Sequence, residues 1–234
     1  MEGFSYTDIF ATKGSEYLMV IFFLMVFVVF WRQLTRPARA VYQYAAERVV
    51  PAIRGWFAVP EGVYYHPGHM WATVEAADLV TVGIDDFAQK LVGPIARVSL
   101  PQIGASVAQG DAAVALHVDD RSIPLLSPVE GKVVALNKEV LRTPGVINGD
   151  AYGKGWLMKV HVPRLQGNLK NLISGTLAKR WIDEAQQRLS AYVTDPAVGA
   201  TMADGGVPVT GIAKNLAPTT WDQMAKEFFL TTDS

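Results

Sequence analysis

The chain of 234 residues contains no cysteine and only four histidines. Without cysteine it can form no disulfide, zinc–thiolate site, iron–sulfur cluster or thiol nucleophile of its own. If the protein belongs to a redox system, the redox centres lie in partner proteins. Its 21 basic and 22 acidic residues give a formal net charge of -1. Because proteins that bind nucleic acid are usually strongly basic, we exclude nucleic acid as a partner.

Recognisable catalytic motifs are also lacking. No glycine-rich loop opens a helix after a strand, as phosphate binding requires, and Gly153-Lys-Gly155 is too short for such a loop. No serine lies in a nucleophile motif. His66 and His69 are three residues apart, but they lie in a Pro-Gly turn, so a structural role is favoured over metal ligation. The sequence predicts a protein that is not an enzyme and that holds neither a cofactor nor a metal.

One long apolar run stands near the N-terminus, in residues 17–31, with an aromatic residue at each end. The run is shorter than the roughly 20 residues that cross a bilayer, but extension past Arg32, with its side chain reaching the interface, closes the gap. A buried core helix is the alternative, although no neighbouring core could cover a segment that is apolar all round. We predict a transmembrane helix within residues 1–36. Its membrane-anchoring side chains are Tyr17, Phe22, Phe23, Phe27, Phe30 and Trp31.

Basic residues follow this run and hardly precede it. Lys13 lies before it, whereas Arg32, Arg36, Arg39, Arg48 and Arg54 lie after it. The positive-inside rule therefore predicts a single-pass protein of the inner (cytoplasmic) membrane with its C-terminal domain in the cytoplasm. Residues 37–57 have helical apolar spacing with interleaved arginines, which indicates a juxtamembrane amphipathic helix on membrane lipid. A connecting helix packed on a partner subunit is the alternative.

From residue 58 onward, short alternating apolar segments are separated by glycine and proline turns. Strands are predicted at residues 70–75, 79–83, 96–100, 113–118, 131–136 and 156–162. This spacing indicates a small antiparallel sandwich or barrel. Residues 85–92, with an acidic cap, predict one short helix, and residues 169–192 predict an amphipathic helical region after the strands.

A predicted hairpin over residues 111–131 is the most informative part of the chain. Its apolar strands flank the tip Asp119-Asp120-Arg121-Ser122, and Ser127-Pro-Val-Glu-Gly131 turns the chain again. Asp119 and Asp120 could bind a cation together with His117, but paired aspartates at a hairpin tip are usually turn formers. We regard the tip as a candidate interaction site, formed by His117, Asp119, Asp120 and Arg121.

Several motifs in order resemble the H protein of the glycine cleavage system, over roughly residues 60–192. The motifs occupy residues 65–71, 82–89, 100–104, 127–131 and 148–157. The resemblance implies a mainly β fold, a lipoyl/biotinyl-type β-barrel sandwich with C-terminal helices, over residues 58–193. In that family a lysine at the hairpin tip carries lipoate, seven residues before a Ser/Ala-Pro-Val-x-Gly motif.

The position that the family gives to this lysine is occupied here by Asp120. No lysine lies between Lys90 and Lys132, so a shift of several residues cannot supply one. A carboxylate cannot replace the amine in an amide with lipoate. In addition, His117 stands where the family has a glutamate. These departures predict a member without lipoate and leave lipoyl transfer, methylamine shuttling and glycine cleavage in question.

Residues 194–234 lie beyond the resemblance and predict an extended, turn-rich tail that ends in a short helix after a cap at Thr219 or Thr220. Large aromatic side chains that the family fold does not need are typical interface anchors. We therefore predict that Trp221, Phe228 and Phe229 dock onto a partner subunit. That the tail wraps its own barrel is the alternative.

Three functions fit these observations. The first is a non-catalytic scaffolding subunit that docks with other subunits of a cytoplasm-facing membrane complex, of the electron-transfer or respiratory kind. The second is a carrier-type or carrier-mimic protein that engages lipoate-dependent enzymes. The third is an envelope adaptor resembling efflux membrane fusion proteins, against which the arginine asymmetry argues.

Overall fold

The computed structural model describes residues 9–34, 55–194, 210–215 and 218–230. The chain divides into two units, residues 1–43 and 44–234. The amphipathic helix predicted over most of residues 37–57 lies outside the described residues, as does most of the turn-rich part of the tail.

In the first unit, helix α1 spans Ile9–Leu34. The side chains of residues 17–31 are between 47% and 74% exposed. Phe27 stacks between Phe23 and Trp31, with ring centroids 6.5 and 5.9 Å away. Over the described residues, we find no helix with the combined length and apolar character that crossing a bilayer demands. The predicted transmembrane helix is therefore not confirmed.

The second unit is built on two antiparallel sheets. The larger has seven strands, in the spatial order β10 (Ile173–Ser174), β1 (Tyr64–Tyr65), β2 (Met70–Ala76), β3 (Leu79–Ile84), β9 (Met158–His161), β8 (Gly131–Leu136) and β5 (Ser106–Val107). The smaller has the order β4 (Arg97–Ser99), β6 (Ala112–Val118) and β7 (Arg121–Leu126). Alternate apolar residues of these strands point into one core. The predicted mainly β sandwich is thus confirmed.

Helices connect and follow the strands. They are α2 (Asp86–Val92), α3 (Lys138–Arg142), α4 (Val146–Gly149), α5 (Leu165–Leu169), α6 (Gly175–Thr194), a 3-10 helix (Ile212–Asn215) and α7 (Pro218–Phe229). Helix α2 begins as predicted, because the Asp85 carboxylate accepts a hydrogen bond from the Ala88 amide at 2.7 Å. It ends at Gly93, whose φ of 83° belongs to the left-handed region that glycine adopts without strain.

Trp71 fixes the pairing of β2 with β3. Its indole N–H donates to the Ile84 carbonyl at 2.8 Å, and its ring lies over Gly83 on the neighbouring strand. A Cβ at Gly83 would lie 2.5 Å from Trp71 Cζ2, closer than real contacts allow. The close approach of ring and backbone therefore requires glycine at this strand position.

The predicted helical region over residues 169–192 is interrupted. Ile173 and Ser174 form β10 and pair with Tyr65 and Tyr64 of β1. Gly175, with a φ of 58°, then turns the chain into α6. The apolar spacing of this stretch suits helix, but the open edge of β1 supplies strand partners that outweigh local preference.

Candidate functional site: the hairpin tip and the C-terminal strap

Strands β6 and β7 form the predicted hairpin, with Val118 paired to Arg121 across a two-residue loop of Asp119 and Asp120. Asp119 has a φ of 52°, a left-handed conformation that aspartate tolerates better than most residues. Both aspartate side chains are exposed, whereas Val118 is buried. The structure therefore places Asp120 in the exposed loop of the hairpin.

On one side, the hairpin is held by β4. His117 pairs with Arg97, and its Nε2 atom lies 2.8 Å from the Ser99 hydroxyl. This contact occupies one ring nitrogen of His117. The contact holds the His117 side chain against Ser99 of β4. In the strand register His117 pairs with Ser122, so it is not part of the loop that the two aspartates form.

On the other side, the tip contacts two short pieces of the C-terminal tail, residues 210–215 and 218–230, which we call the C-terminal strap. Lys214 Nζ lies 3.0 and 3.1 Å from the two carboxylate oxygens of Asp119. The Arg121 guanidinium lies over the Trp221 ring, 4.7 Å from its centroid. The tip and the strap thus meet through one ion pair and one cation–π contact.

The strap is attached to the barrel beyond the tip. The Gly211 amide donates to the Lys90 carbonyl at 2.7 Å, at the end of α2. A Cβ at Gly93 would lie 2.7 Å from the Gly211 Cα, so the two backbones touch where both residues are glycine. Further along, α7 packs on β7. The strap therefore runs from α2 past the hairpin tip and along the edge of the smaller sheet.

The docking prediction for the tail aromatics needs correction. Trp221, Phe228 and Phe229 are 4%, 1% and 0% exposed within their own chain. The Phe228 ring packs 5.1 Å from that of Phe87 in α2. These side chains cover apolar surface of the barrel that would otherwise face water, so the tail packs on its own domain, which is the alternative considered above.

The prediction that Thr219 or Thr220 caps the last helix is also wrong, because α7 begins at Pro218.

Beneath α7 lies a buried histidine that the sequence did not mark as central. The Nδ1 atom of His69 is 2.7 Å from an Asp85 carboxylate oxygen, and both side chains are at most 1% exposed. The His69 ring stacks between those of Phe87 and Trp181, at 4.4 and 4.6 Å. The pair therefore joins β2, α2 and α6, and its burial makes it a structural element of the core.

The other histidine of this turn, His66, also has a structural contact. Its Nδ1 atom accepts a hydrogen bond from the Gly68 amide at 3.1 Å. Burial, and to a lesser degree the nearby His69, hold the pKa of His66 below its usual value. Within the described part of the chain, no three histidine or acidic side chains are grouped as a metal site would need.

Two tyrosines, Tyr65 and Tyr152, lie close to this core, and the buried Tyr65 hydroxyl has no hydrogen-bond partner among the described residues. The Tyr152 hydroxyl donates to the Ala58 carbonyl at 2.9 Å and accepts from the Asp86 amide at 3.3 Å. Burial raises the pKa of Tyr65 to about 12 and also raises the pKa of Tyr152. Both tyrosines therefore keep their protons near neutral pH and cannot act there as general bases.

Lys214 is the residue of the tip that sequence reasoning missed. It lies 95 residues from Asp119 along the chain, in a segment without a motif. Its only sequence signal is that it is one of few charged residues in the tail, which does not identify a partner. Of the candidate tip residues, Asp119 and Asp120 form the loop and Arg121 begins β7, whereas His117 pairs with Ser122 and contacts Ser99. Their role as an interaction site stays a prediction.

Two small sheets, a projecting hairpin and the helices that follow define a lipoyl-type carrier domain. The family profile described as "Glycine cleavage H-protein" matches residues 63–185. This chain belongs to the glycine cleavage H-protein family. The membership rests on more than half of the chain, and it covers the hairpin as well as the core.

The chain is also similar to individual proteins of this family. The chain is 35% identical over 126 residues to the glycine cleavage system H protein of Carboxydothermus hydrogenoformans, covering 54% of this chain and 95% of the relative. It is 38% identical over 119 residues to that of Mycolicibacterium smegmatis, covering 51% and 89%. The crystal structure of such a protein from Mycobacterium marinum matches with a TM-score of 0.47 at 26% identity, covering 54% of this chain and 98% of that one.

Proposed function

We propose that this protein is a carrier mimic: it presents the hairpin of a family carrier to lipoate-dependent enzymes without bearing lipoate itself. The observation that carries the proposal is the tip, where Asp120 stands and where no lysine lies between Lys90 and Lys132. Shape and chemistry are separable in such a module. The hairpin can still enter a site built for it, while the absence of an amine prevents amide formation with lipoate.

Under this proposal, the protein has no catalytic activity of its own. His69 and Tyr152 of the core are engaged in structural hydrogen bonds, to Asp85 and Ala58. The raised pKa values of Tyr65 and Tyr152 keep both hydroxyls protonated near neutral pH. What the protein offers a partner is therefore a surface.

A competition assay tests the proposal. A reconstituted glycine cleavage system with limiting lipoylated H protein is titrated with this protein. We expect the glycine cleavage rate to fall and to recover when more lipoylated H protein is added, because both hairpins occupy the same sites. An unchanged rate at a large excess of this protein would refute the mimic.

A matched pair of variants makes the assay specific to the hairpin. Asp120→Arg reverses the charge at the tip and should weaken the inhibition. Asp78→Arg does the same at the turn between β2 and β3, where Asp78 is 56% exposed, and should leave the inhibition unchanged. Equal effects of both variants would show that net charge, and not the hairpin, causes the inhibition.

A second candidate function is that of a membrane-attached scaffold. It is favoured by α1, whose fifteen uncharged residues 17–31 have largely exposed apolar side chains, an arrangement that water disfavours. In this proposal the helix attaches the protein to the inner membrane, the arginines after it keep the C-terminal domain in the cytoplasm, and the partners are lipid and subunits of a membrane complex.

Extraction of membranes with alkaline carbonate tests whether the protein is attached to the membrane. We expect the full-length protein to stay in the membrane pellet and a variant that starts after residue 36 to be released. Gentle detergent extraction then identifies any subunits that co-purify. Release of the full-length protein by carbonate would overturn the attachment. A reporter fused to the C-terminus that scores as periplasmic would overturn the orientation.

A further inference from the structure

The hairpin tip contacts its own chain on both sides. Strand β4 holds it through His117 and Ser99, and the C-terminal strap holds it through the Asp119–Lys214 and Arg121–Trp221 contacts. A hairpin that must enter a partner's site needs its tip free. The strap side is the part of this arrangement that can leave, because it is not connected to the hairpin through strand pairing.

The strap is anchored at its two ends and bridges the tip between them. Near its start, Gly211 is hydrogen-bonded to Lys90, and near its end Phe228 and Phe229 are buried in the core. Lys214 and Trp221, which touch the tip, lie between these anchors. The side chains of Lys214 and Arg121 can therefore break their contacts while α7, in which Trp221 is 4% exposed, stays in place.

We propose that the C-terminal strap is an autoinhibitory latch on the hairpin tip. The Asp119–Lys214 and Arg121–Trp221 contacts are its two closures, and a partner enzyme reaches the tip by breaking both. This inference rests on the proposed carrier-mimic function for the identity of the partner. The latch itself is a property of the isolated chain and is measured without any partner.

The two contacts between the strap and the hairpin tip are weak enough for a partner to break. The side chains of Lys214 and Asp119 are 33% and 64% exposed, so water and salt compete with their ion pair. An exposed ion pair shifts an equilibrium by about two- to five-fold. The cation–π contact shifts it by a similar or larger factor, because the Trp221 ring is 4% exposed. Together they keep the tip mostly closed, yet binding to a partner suffices to open it.

Hydrogen exchange of the full-length protein tests the latch. Lys214→Met removes the ion pair, Arg121→Gln removes the cation–π contact, and the double variant removes both. We expect amide exchange over residues 117–122 to become about two- to five-fold faster in each single variant, and faster again in the double variant. Amides of β2 and β3 serve as the internal reference and should not change.

Lys159→Met is the matched control. Lys159 is 29% exposed, lies 2.7 Å from a Glu75 carboxylate oxygen and stands 5.3 Å from the centre of the Trp156 ring, but it lies on β9. It should leave exchange at the tip unaltered. Raising the salt concentration to about 1 M should speed tip exchange in the unmodified protein and not in Lys214→Met, because only the former has an ion pair to screen.

Binding to the purified proteins of a glycine cleavage system completes the test. The latch predicts that the double variant binds more tightly than the unmodified protein, by about the factor by which its tip exchange increases. Unchanged tip exchange overturns the latch, and so does faster exchange when both forms bind a partner with equal affinity. If exchange increases and neither form binds any of these proteins, the carrier mimic fails and the latch as a conformational device stands.

Discussion

At the scale of single residues, Asp120 is the hairpin residue on which the proposed carrier mimic depends. Its side chain is exposed in a two-residue loop and makes no hydrogen bond among the described residues. The neighbouring Asp119 has a left-handed backbone and an ion pair, so it is the residue that shapes the loop. The Asp120 side chain thus has no structural role among the described contacts of the loop.

Asp120→Lys should therefore leave the fold intact. Exposed substitutions away from special contacts change stability by about 0.5 kcal/mol or less. Thermal unfolding followed by circular dichroism should show nearly the same Tm as the unmodified protein, whereas Gly83→Ala, which forces a Cβ against the Trp71 ring, should lower it clearly. A large loss of stability in Asp120→Lys would show that the tip is packed against something.

His66 gives the protein an acid-sensitive contribution. Its pKa is lowered in the folded state, so below about pH 6.5 the unfolded chain binds more protons than the folded one and stability falls with falling pH. His66→Asn keeps an acceptor for the Gly68 amide and removes the titration. Between pH 7 and 5, Tm should fall less steeply in this variant.

His161→Asn controls for the loss of any histidine. His161 is 47% exposed and pairs with Asp78 at the surface. It should not reduce the loss of Tm at low pH. If both variants flatten the profile equally, or if His66→Asn leaves it unchanged, buried His66 is not the cause.

At the scale of elements, the long strands and α2 were predictable and the short strands were not. Strand β6 alternates between buried and more exposed residues, and β2, β3 and β8 are apolar-rich runs of six or seven residues; all four are bounded by turn residues, which makes them predictable. β1, β5 and β10 have two residues each, too few for any periodicity. They exist because a neighbouring strand offers unpaired backbone groups, and that information lies elsewhere in the chain.

Helix α7 was likewise predictable only in part. Its helical character follows from the apolar spacing of Trp221, Met224 and Phe228, but the surface it covers does not. Apolar side chains on one face pack equally well on a partner or on their own domain, as far as local sequence can say. The partners of α7, Phe87 and His69, precede it by about 140 residues.

Phe228→Ala tests whether this element belongs to the core. The ring is 1% exposed and contacts Phe87 and Tyr192, so its removal should cost about 3–5 kcal/mol of the free energy of unfolding. Leu230→Ala, at a 45% exposed position just after the same helix, should cost far less. Denaturant unfolding of both variants gives the comparison. Similar small costs would mean that the tail is not part of the core in solution.

At the scale of the whole molecule, the hairpin, strap and core form one arrangement in the second unit. The family match covers residues 63–185, while the strap lies beyond it and contributes Lys214 to the hairpin tip. A segment outside the family match thus contacts the hairpin tip inside it.

The central claim is that this family fold acts without lipoate, and the intact mass of the full-length protein tests it most directly. The protein is purified from cells supplied with lipoate that lipoylate a co-expressed family H protein, whose mass is the positive control. We predict the mass of the unmodified chain, because no hairpin lysine exists to accept the group. A mass raised by one lipoyl group would contradict the account.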